Sequence, residues 1–229
     1  LATPLDAGPW AAGAPGDAPG GAPGGAPGGA PGGAPGGAPG GEPATNRLDA
    51  RSAPLRLAAV PTQRRLAEMA FHLPADGLDA EALNALLLRH GYPMPRLGFR
   101  PLRGWLKGFI DLVLCHEGRW YVLDWKSNHL GERPQDYAPA ALDAAMAHAG
   151  YHLQHLLYSV ALRRWLRQRV AGFDAVRHFG GVLYLFVRGV RPGWRLADGT
   201  PCGVWRQRPG DAVLDELSAL LDGAAGGRG

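Results

Sequence analysis

The chain has 229 residues, a formal net charge of +4 and two cysteines. The mild basic excess permits nucleic-acid binding. Cys115 and Cys202 supply neither a disulfide framework nor a CxxC pair, and too few thiolates for an iron–sulfur cluster. No apolar run reaches the roughly 18 residues of a membrane span and no charged n-region opens the chain, so the expected setting is the reducing cytoplasm.

In chain order, residues 13–41 repeat Ala-Pro-Gly-Gly units. Gly and Pro at that density bury too little apolar area to offset chain entropy, which predicts disorder. The repeat lacks the collagen period of three. Residues 42–60 read as a poorly structured lead-in, which divides the chain into a lead-in (1–59) and one ordinary domain (60–229). The first residue is Leu1, so the sequence reads as a fragment.

Residues 63–73 mix helix and strand signals, and 68–74 reads as a strand ending at Pro74. Residues 79–90 form an amphipathic helix with a Leu83, Leu86, Leu87 stripe, stopped by Gly91. Two β-rich runs, 108–115 and 119–126, flank Glu117-Gly118 and predict a hairpin with a two-residue loop. A polar loop covers 127–136, an Ala-rich helix 139–149, and Gly150 separates it from a longer helix over 151–170. A buried strand is expected at 179–188 and a last helix at 211–221. The alternation predicts an α/β fold, a sheet covered by helices.

The hairpin carries the chemistry. With Glu117-Gly118 as the loop, His116 faces Arg119, and the same register sets Asp111 opposite Asp124. Lys126 shares their face because strand side chains alternate with period two. Two close carboxylates among apolar neighbours call for a cation, and hard oxygen ligands suit Mg²⁺. A one-residue slip would move the set to the other face. Of 24 Lys and Arg residues only Lys107 and Lys126 are lysines. An ammonium at 126 therefore reads as selected, being a compact point charge where Arg is the default. Lys107 reads as a solvated residue before the strand or a phosphate contact.

On the long helix, Gln154 and Tyr158 are four apart and share a face. They are either core residues or groups that reach a DNA backbone or the water network of the site. Arg163, Arg164, Arg167 and Arg169 hold much of the basic excess, as a solvated face or as phosphate contacts. No Gly-rich phosphate loop ending in Gly-Lys-Ser/Thr is present, so ATP hydrolysis is not expected within these residues.

Taken together, Glu68-Met-Ala-Phe-His-Leu-Pro74, Gly108-Phe-Ile-Asp-Leu-Val113, Tyr121-Val-Leu-Asp-Trp-Lys-Ser-Asn128, Leu130-Gly131, Tyr151-His-Leu-Gln-His-Leu-Leu-Tyr158 and His178-Phe-Gly-Gly-Val-Leu-Tyr-Leu-Phe-Val-Arg-Gly189 resemble the C-terminal nuclease domain of the RecB family. Those proteins are subunits of RecBCD-type helicase–nucleases (exonuclease V), within the wider PD-(D/E)xK superfamily. The resemblance covers about residues 60–222. It implies a restriction-endonuclease-like core, a central mixed sheet flanked by helices. It implies metal binding by Asp111, Asp124 and the Trp125 carbonyl, with Lys126 as catalytic lysine and Glu68 as an acidic position linked to the site. Gln154 and Tyr158 match the QxxxY element and orient DNA or the site.

The implied activity is Mg²⁺-dependent DNA hydrolysis at duplex ends and on single strands, in double-strand-break repair and recombination. It would take place in an ATP-using complex with RecC-like and RecD-like subunits. Family members also carry a metal-ligating His in a helix before the Glu68 region. No histidine precedes Glu68 here, and His72 reads as a strand residue. The resemblance therefore implies a domain without that helix and with weakened metal binding. The alternative is a DNA-binding or subunit-docking module with little catalysis.

Overall fold

The computed structural model describes residues 55–223. The Ala-Pro-Gly-Gly repeat, and with it the expectation of disorder, lies outside the described residues. One mixed sheet of five strands organises the rest, in the order β1 (Arg65–Pro74), β2 (Trp105–His116), β3 (Arg119–Lys126), β4 (Phe179–Phe186), β5 (Val204–Gln207). β1 and β3 each run antiparallel to β2 between them, β3 and β4 are parallel, and β5 returns antiparallel. The parallel step needs a crossover. It is made by two helices, α2 (Pro139–His148) and α3 (Tyr151–Arg169), separated at Gly150 with φ 69°. The expected hairpin is present. Glu117 (φ 48°) and Gly118 (φ 77°) both take the left-handed conformation of a type I′ turn, whose twist matches its strands.

The two sheet faces are covered differently. Val122, Val182, Tyr184 and Phe186 join the larger core. Leucines from α1 (Ala80–Arg89) and α5 (Asp211–Leu221) complete it with α2 and α3. Asp79 caps α1 by accepting the Ala82 N–H at 2.7 Å. On the other face Tyr121, Leu123, Leu183 and Leu185 meet, among the described residues outside the sheet and its loops, Leu55, Leu57 and Val60. Arg65 ties that segment to β1 by donating to the carbonyls of Leu57 and Val60. Residues 55–60, read from sequence as part of the lead-in, are thus packed. β4 is buried at all eight positions, as a strand covered on both faces must be. Two elements escaped the sequence reading: the short helix α4 (Ala175–His178) and β5.

The arginine row on α3 divides: Arg163 and Arg164 face inward, whereas Arg167 and Arg169 are exposed. Arg163 is 5% exposed and pairs with Asp215 at 3.0 Å and Asp211 at 3.7 Å. Arg164 donates to Ser218 Oγ at 2.7 Å and Asp222 at 2.8 Å, and Arg169 lies 4.7 Å from the Trp165 ring centre. Positions 211, 215, 218 and 222 recur at helical spacing, so α5 presents a matching polar stripe. Arg163 and Arg164 therefore join two helices and do not form the phosphate-binding row that their charge suggested.

Gly203 enters β5 with φ 75°. A Cβ there would sit 2.6 Å from the Gly189 carbonyl carbon and 2.7 Å from Val190 N. Its N–H donates to the Tyr137 carbonyl at 2.9 Å and its own carbonyl accepts from Phe186 N at 2.8 Å. Left-handed strain plus a backbone clash puts Gly203→Ala at about 2–4 kcal/mol of lost stability, measurable by urea unfolding. A loss below about 0.5 kcal/mol, the range of neutral surface changes, would contradict this packing.

His155 is fully buried among Tyr92, Tyr184 and Trp205, and its Nδ1 has no hydrogen-bond partner. Burial, aided by the adjacent His152, holds its pKa well below 6.5. The folded chain keeps the ring neutral, whereas the unfolded chain protonates it below about pH 6.5. Stability therefore falls with acidification below about pH 6.5, where the unfolded chain takes up a proton that the folded chain does not. His155→Leu should flatten that slope in paired urea titrations; equal slopes would refute the neutral assignment.

Candidate active site at the opening of the hairpin

The β2–β3 ladder follows the expected register from His116↔Arg119 to Leu112↔Leu123 and then stops. Antiparallel rungs alternate, so the next hydrogen-bonded pair would be Ile110 with Trp125. That pair is not formed. The Trp125 N–H goes instead to Asp111 Oδ2 at 2.9 Å. Asp111 and Asp124 are therefore not a ladder pair as the extrapolated register had them; the strands part in their row. The Trp125 carbonyl is left uncommitted to a β2 rung.

β1 opens at the same row. Its pairing runs to Ala67↔Leu112 and resumes at Met69↔Ile110, which leaves Glu68 and Asp111 between. Glu68 has φ 51°, a left-handed conformation rare for a non-glycine residue and costing on the order of 1–3 kcal/mol. Backbone strain of this kind collects at functional sites. Glu68 itself is exposed and makes no hydrogen bond or ion pair among the described residues.

Asp124 and Lys126 follow Val122 at period two and so point to the helix-covered face. Both are buried, at 3% and 7% exposure, and Lys126 Nζ lies 2.6 Å from Asp124 Oδ2. The buried Oδ2 has no polar partner other than this ammonium among the described residues. The ammonium hydrogen-bonds instead to Gln154 Oε1 at 2.7 Å. Tyr184 donates to the same Oε1 at 3.2 Å, and Gln154 Nε2 donates to Tyr158 Oη at 3.1 Å. The amide is fixed in one orientation by three partners. Two rings complete the cage: Nζ is 3.8 Å from the Tyr151 ring centre and 4.8 Å from that of Tyr184.

Burial raises the Asp124 carboxyl above its usual range; Lys126 opposes the shift and Asp111 adds to it. Burial also pushes the Tyr158 phenol up to about 12, with Asp124 and Asp111 contributing. The site is thus short of positive charge. Its donors (two carboxylates, one with a buried oxygen met only by the Lys126 ammonium among the described residues, and the Trp125 carbonyl) are hard oxygens that fit a divalent cation such as Mg²⁺. Among the described residues no three His, Cys, Asp or Glu side chains gather to hold a metal, so Glu68 does not extend the pair to three.

The residues singled out from sequence fall into three groups. Asp111, Asp124, Lys126, Gln154 and Tyr158 are brought together. Trp125 contributes its backbone, while its side chain lies 38% exposed. Glu68 shares the row but stands outside the hydrogen-bonded set. Tyr151 and Tyr184 were not singled out. The signal for Tyr184 was a phenol inside a continuously apolar strand, since a buried tyrosine hydroxyl needs a polar partner on a facing element.

Comparison with known proteins agrees with this geometry. The family model described as the PD-(D/E)XK nuclease superfamily matches residues 45–220. The RecBCD enzyme subunit RecB of Escherichia coli (strain K12) is 43% identical over 171 residues, which cover 71% of this chain and 14% of that protein. RecB of Haemophilus influenzae (strain Rd) is 38% identical over 170 residues, covering 73% and 14%. RecB of Mycobacterium tuberculosis (strain H37Rv) is 45% identical over 156 residues, covering 67% and 14%. The chain spans about 14% of the length of these relatives. With the match covering most of the chain, it belongs to the PD-(D/E)XK nuclease superfamily.

Proposed function

We propose that the chain is a Mg²⁺-dependent DNA phosphodiesterase, the nuclease part of a RecBCD-type helicase–nuclease that acts in double-strand-break repair. The observation that carries this reading is the buried Asp124–Lys126 pair beside Asp111 at the point where the strands part. Asp111, Asp124 and the Trp125 carbonyl would hold the cation. Bound there, it would polarise the phosphodiester and acidify a water. Lys126 is held by Gln154 and the tyrosine rings with its charge directed at the carboxylates. From there it positions the attacking water and offsets charge that builds on the phosphoryl oxygens. Gln154 acts through Lys126, because Tyr184 and Tyr158 take up the rest of its amide. Tyr158 remains protonated and orients the strand.

RecC-like and RecD-like subunits are the proposed partners, with duplex ends and single strands as substrates. No helix among the described residues is long and apolar enough to cross a membrane. The test is cleavage of end-labelled single-stranded DNA by the full chain with Mg²⁺ or EDTA. Metal-dependent products that vanish in Asp124→Ala and Lys126→Ala support the assignment. Cleavage unchanged in both variants removes it.

A second reading has its own observation. The two carboxylates have no third metal-ligating side chain among the described residues. That favours weak metal capture and a module that mainly binds DNA or docks subunits. Mg²⁺-independent DNA binding with no cleavage at any metal concentration would select it.

A further inference from the structure

We propose that the outer face of the β1–β2 ribbon is a stacking platform for single-stranded nucleic acid, formed by Trp105 and Phe109 with Lys107 between them. This inference extends the nuclease reading by naming where the substrate strand is gripped outside the catalytic row.

Residues 105–110 of β2 have no partner on β3 and pair only with 69–74 of β1. The two strands form a ribbon that runs on past the opening at Asp111. Its inner face is packed, with Met69, Leu73 and Ile110 in the larger core. Phe71 covers Gly108 so closely that a Cβ there would meet the ring at 2.6 Å. The same Phe71 ring stands edge-on to Tyr158 at 5.6 Å. The ribbon is therefore pinned from within, and its outer side chains are held in place.

Those outer side chains are the unusual ones. Trp105 is 64% exposed and Phe109 63%. Exposed flat rings on one face offer surfaces on which bases of any sequence can stack. Four residues of strand separate them by about 13 Å, room for two bases with others between. Lys107 lies between the rings, and Arg100 and Arg103 precede them; all three are exposed and form no ion pair among the described residues. The Asp76 carboxylate accepts the Gly104 N–H at 2.8 Å. Flat rings alternating with unneutralised cations fit a strand of bases and phosphates better than an apolar protein surface. Asp111 follows Phe109 by two residues on the same strand, at the opening where β2 parts from β3.

The test is fluorescence-anisotropy binding of a labelled single-stranded oligonucleotide to the full chain in EDTA, where no cleavage intervenes. Trp105→Ala/Phe109→Ala should weaken binding at least tenfold with the melting temperature unchanged. Lys107→Gln should lower the salt dependence of log Kd by about one ion. With Mg²⁺, the double variant should raise KM and keep kcat, because Asp111, Asp124 and Lys126 are untouched. Unchanged affinity in the double variant overturns the platform. So does an altered oligomeric state with unchanged DNA affinity, which would make the patch a protein interface. The two readings fail separately. Loss of binding in the double variant alongside no cleavage by the parent chain keeps the platform and rejects the nuclease chemistry. Asp124-dependent cleavage with unchanged affinity in the double variant does the reverse.

Discussion

Asp124→Asn is expected to lower Mg²⁺-dependent DNA cleavage by about a thousandfold or more, about 4 kcal/mol in the barrier. The substitution keeps the shape of the side chain and removes its charge. The remaining carboxylate, Asp111, has one oxygen engaged by the Trp125 N–H and offers a cation far less than the pair does. The fold should survive. Removing the charge relieves the desolvation cost of Asp124 but leaves the buried Lys126 ammonium without its carboxylate, so the loss of stability stays within the roughly 3–5 kcal/mol that one lost partner of a buried pair costs. Lys126 would still hydrogen-bond to Gln154 and lie between two rings. The measurement is single-turnover cleavage beside oligonucleotide binding in EDTA. Cleavage should collapse while affinity changes by less than about threefold, because binding on the platform does not involve this oxygen. Wild-type cleavage by Asp124→Asn would remove Asp124 from the metal site.

The hairpin and its register were legible because the signal is local. The β-rich runs, the Glu117-Gly118 turn and the two-residue period settle which residues share a face. What was not legible is the row where the pairing ends. The extrapolated register set Asp111 opposite Asp124, but a side-chain oxygen takes the backbone N–H that the next rung would have used. That competition is between tertiary alternatives, and no pattern in β2 alone decides it. The positive φ of Glu68 is hidden in the same way, on a strand whose residues give mixed signals.

The arginine row shows the opposite failure. Its charge was plain in the sequence and its use was not. Arg163 looks like a phosphate contact until α5 is seen to supply Asp211 and Asp215. β5 was missed because four residues with Arg206 and Gln207 among them, next to Gly203 and Pro209, carry little strand signal. Trp105 was not singled out from sequence, and Phe109 was read only as part of the hairpin strand 108–115. Their meaning depends on the ribbon leaving β3, which is a fact of register and not of residue type. Among the described residues, the face beyond the ribbon is met by the segment from Leu55 to Val60. Catalytic row and platform thus have one structural origin: β2 outlasts its pairing with β3.

Lys126→Met separates what the ammonium does for stability from what it does for chemistry. Its side chain is 8% exposed and that of Asp124 4%. Removing one partner of a buried ion pair costs about 3–5 kcal/mol. The methionine stem replaces the packing against Tyr151 and Tyr184 but not the charge. Two carboxylates then remain with no cation near them, and Gln154 Oε1 keeps only the Tyr184 hydroxyl. The variant should melt well below the parent in EDTA, by roughly 6–20 °C for a domain of this size. Mg²⁺ should restore more of the melting temperature in the variant than it adds to the parent. With the competing ammonium gone, the carboxylates should bind the ion on the order of tenfold more tightly, which contributes about 1.4 kcal/mol. Cleavage should nevertheless stay at least a hundredfold down at saturating Mg²⁺, because nothing positions the water or offsets the phosphoryl charge. Thermal melting across a Mg²⁺ titration, read beside single-turnover cleavage, checks all three expectations. Recovery of cleavage along with stability would show that Lys126 serves only to neutralise Asp124. A melting temperature indifferent to Mg²⁺ in both proteins would show that the two carboxylates do not share an ion.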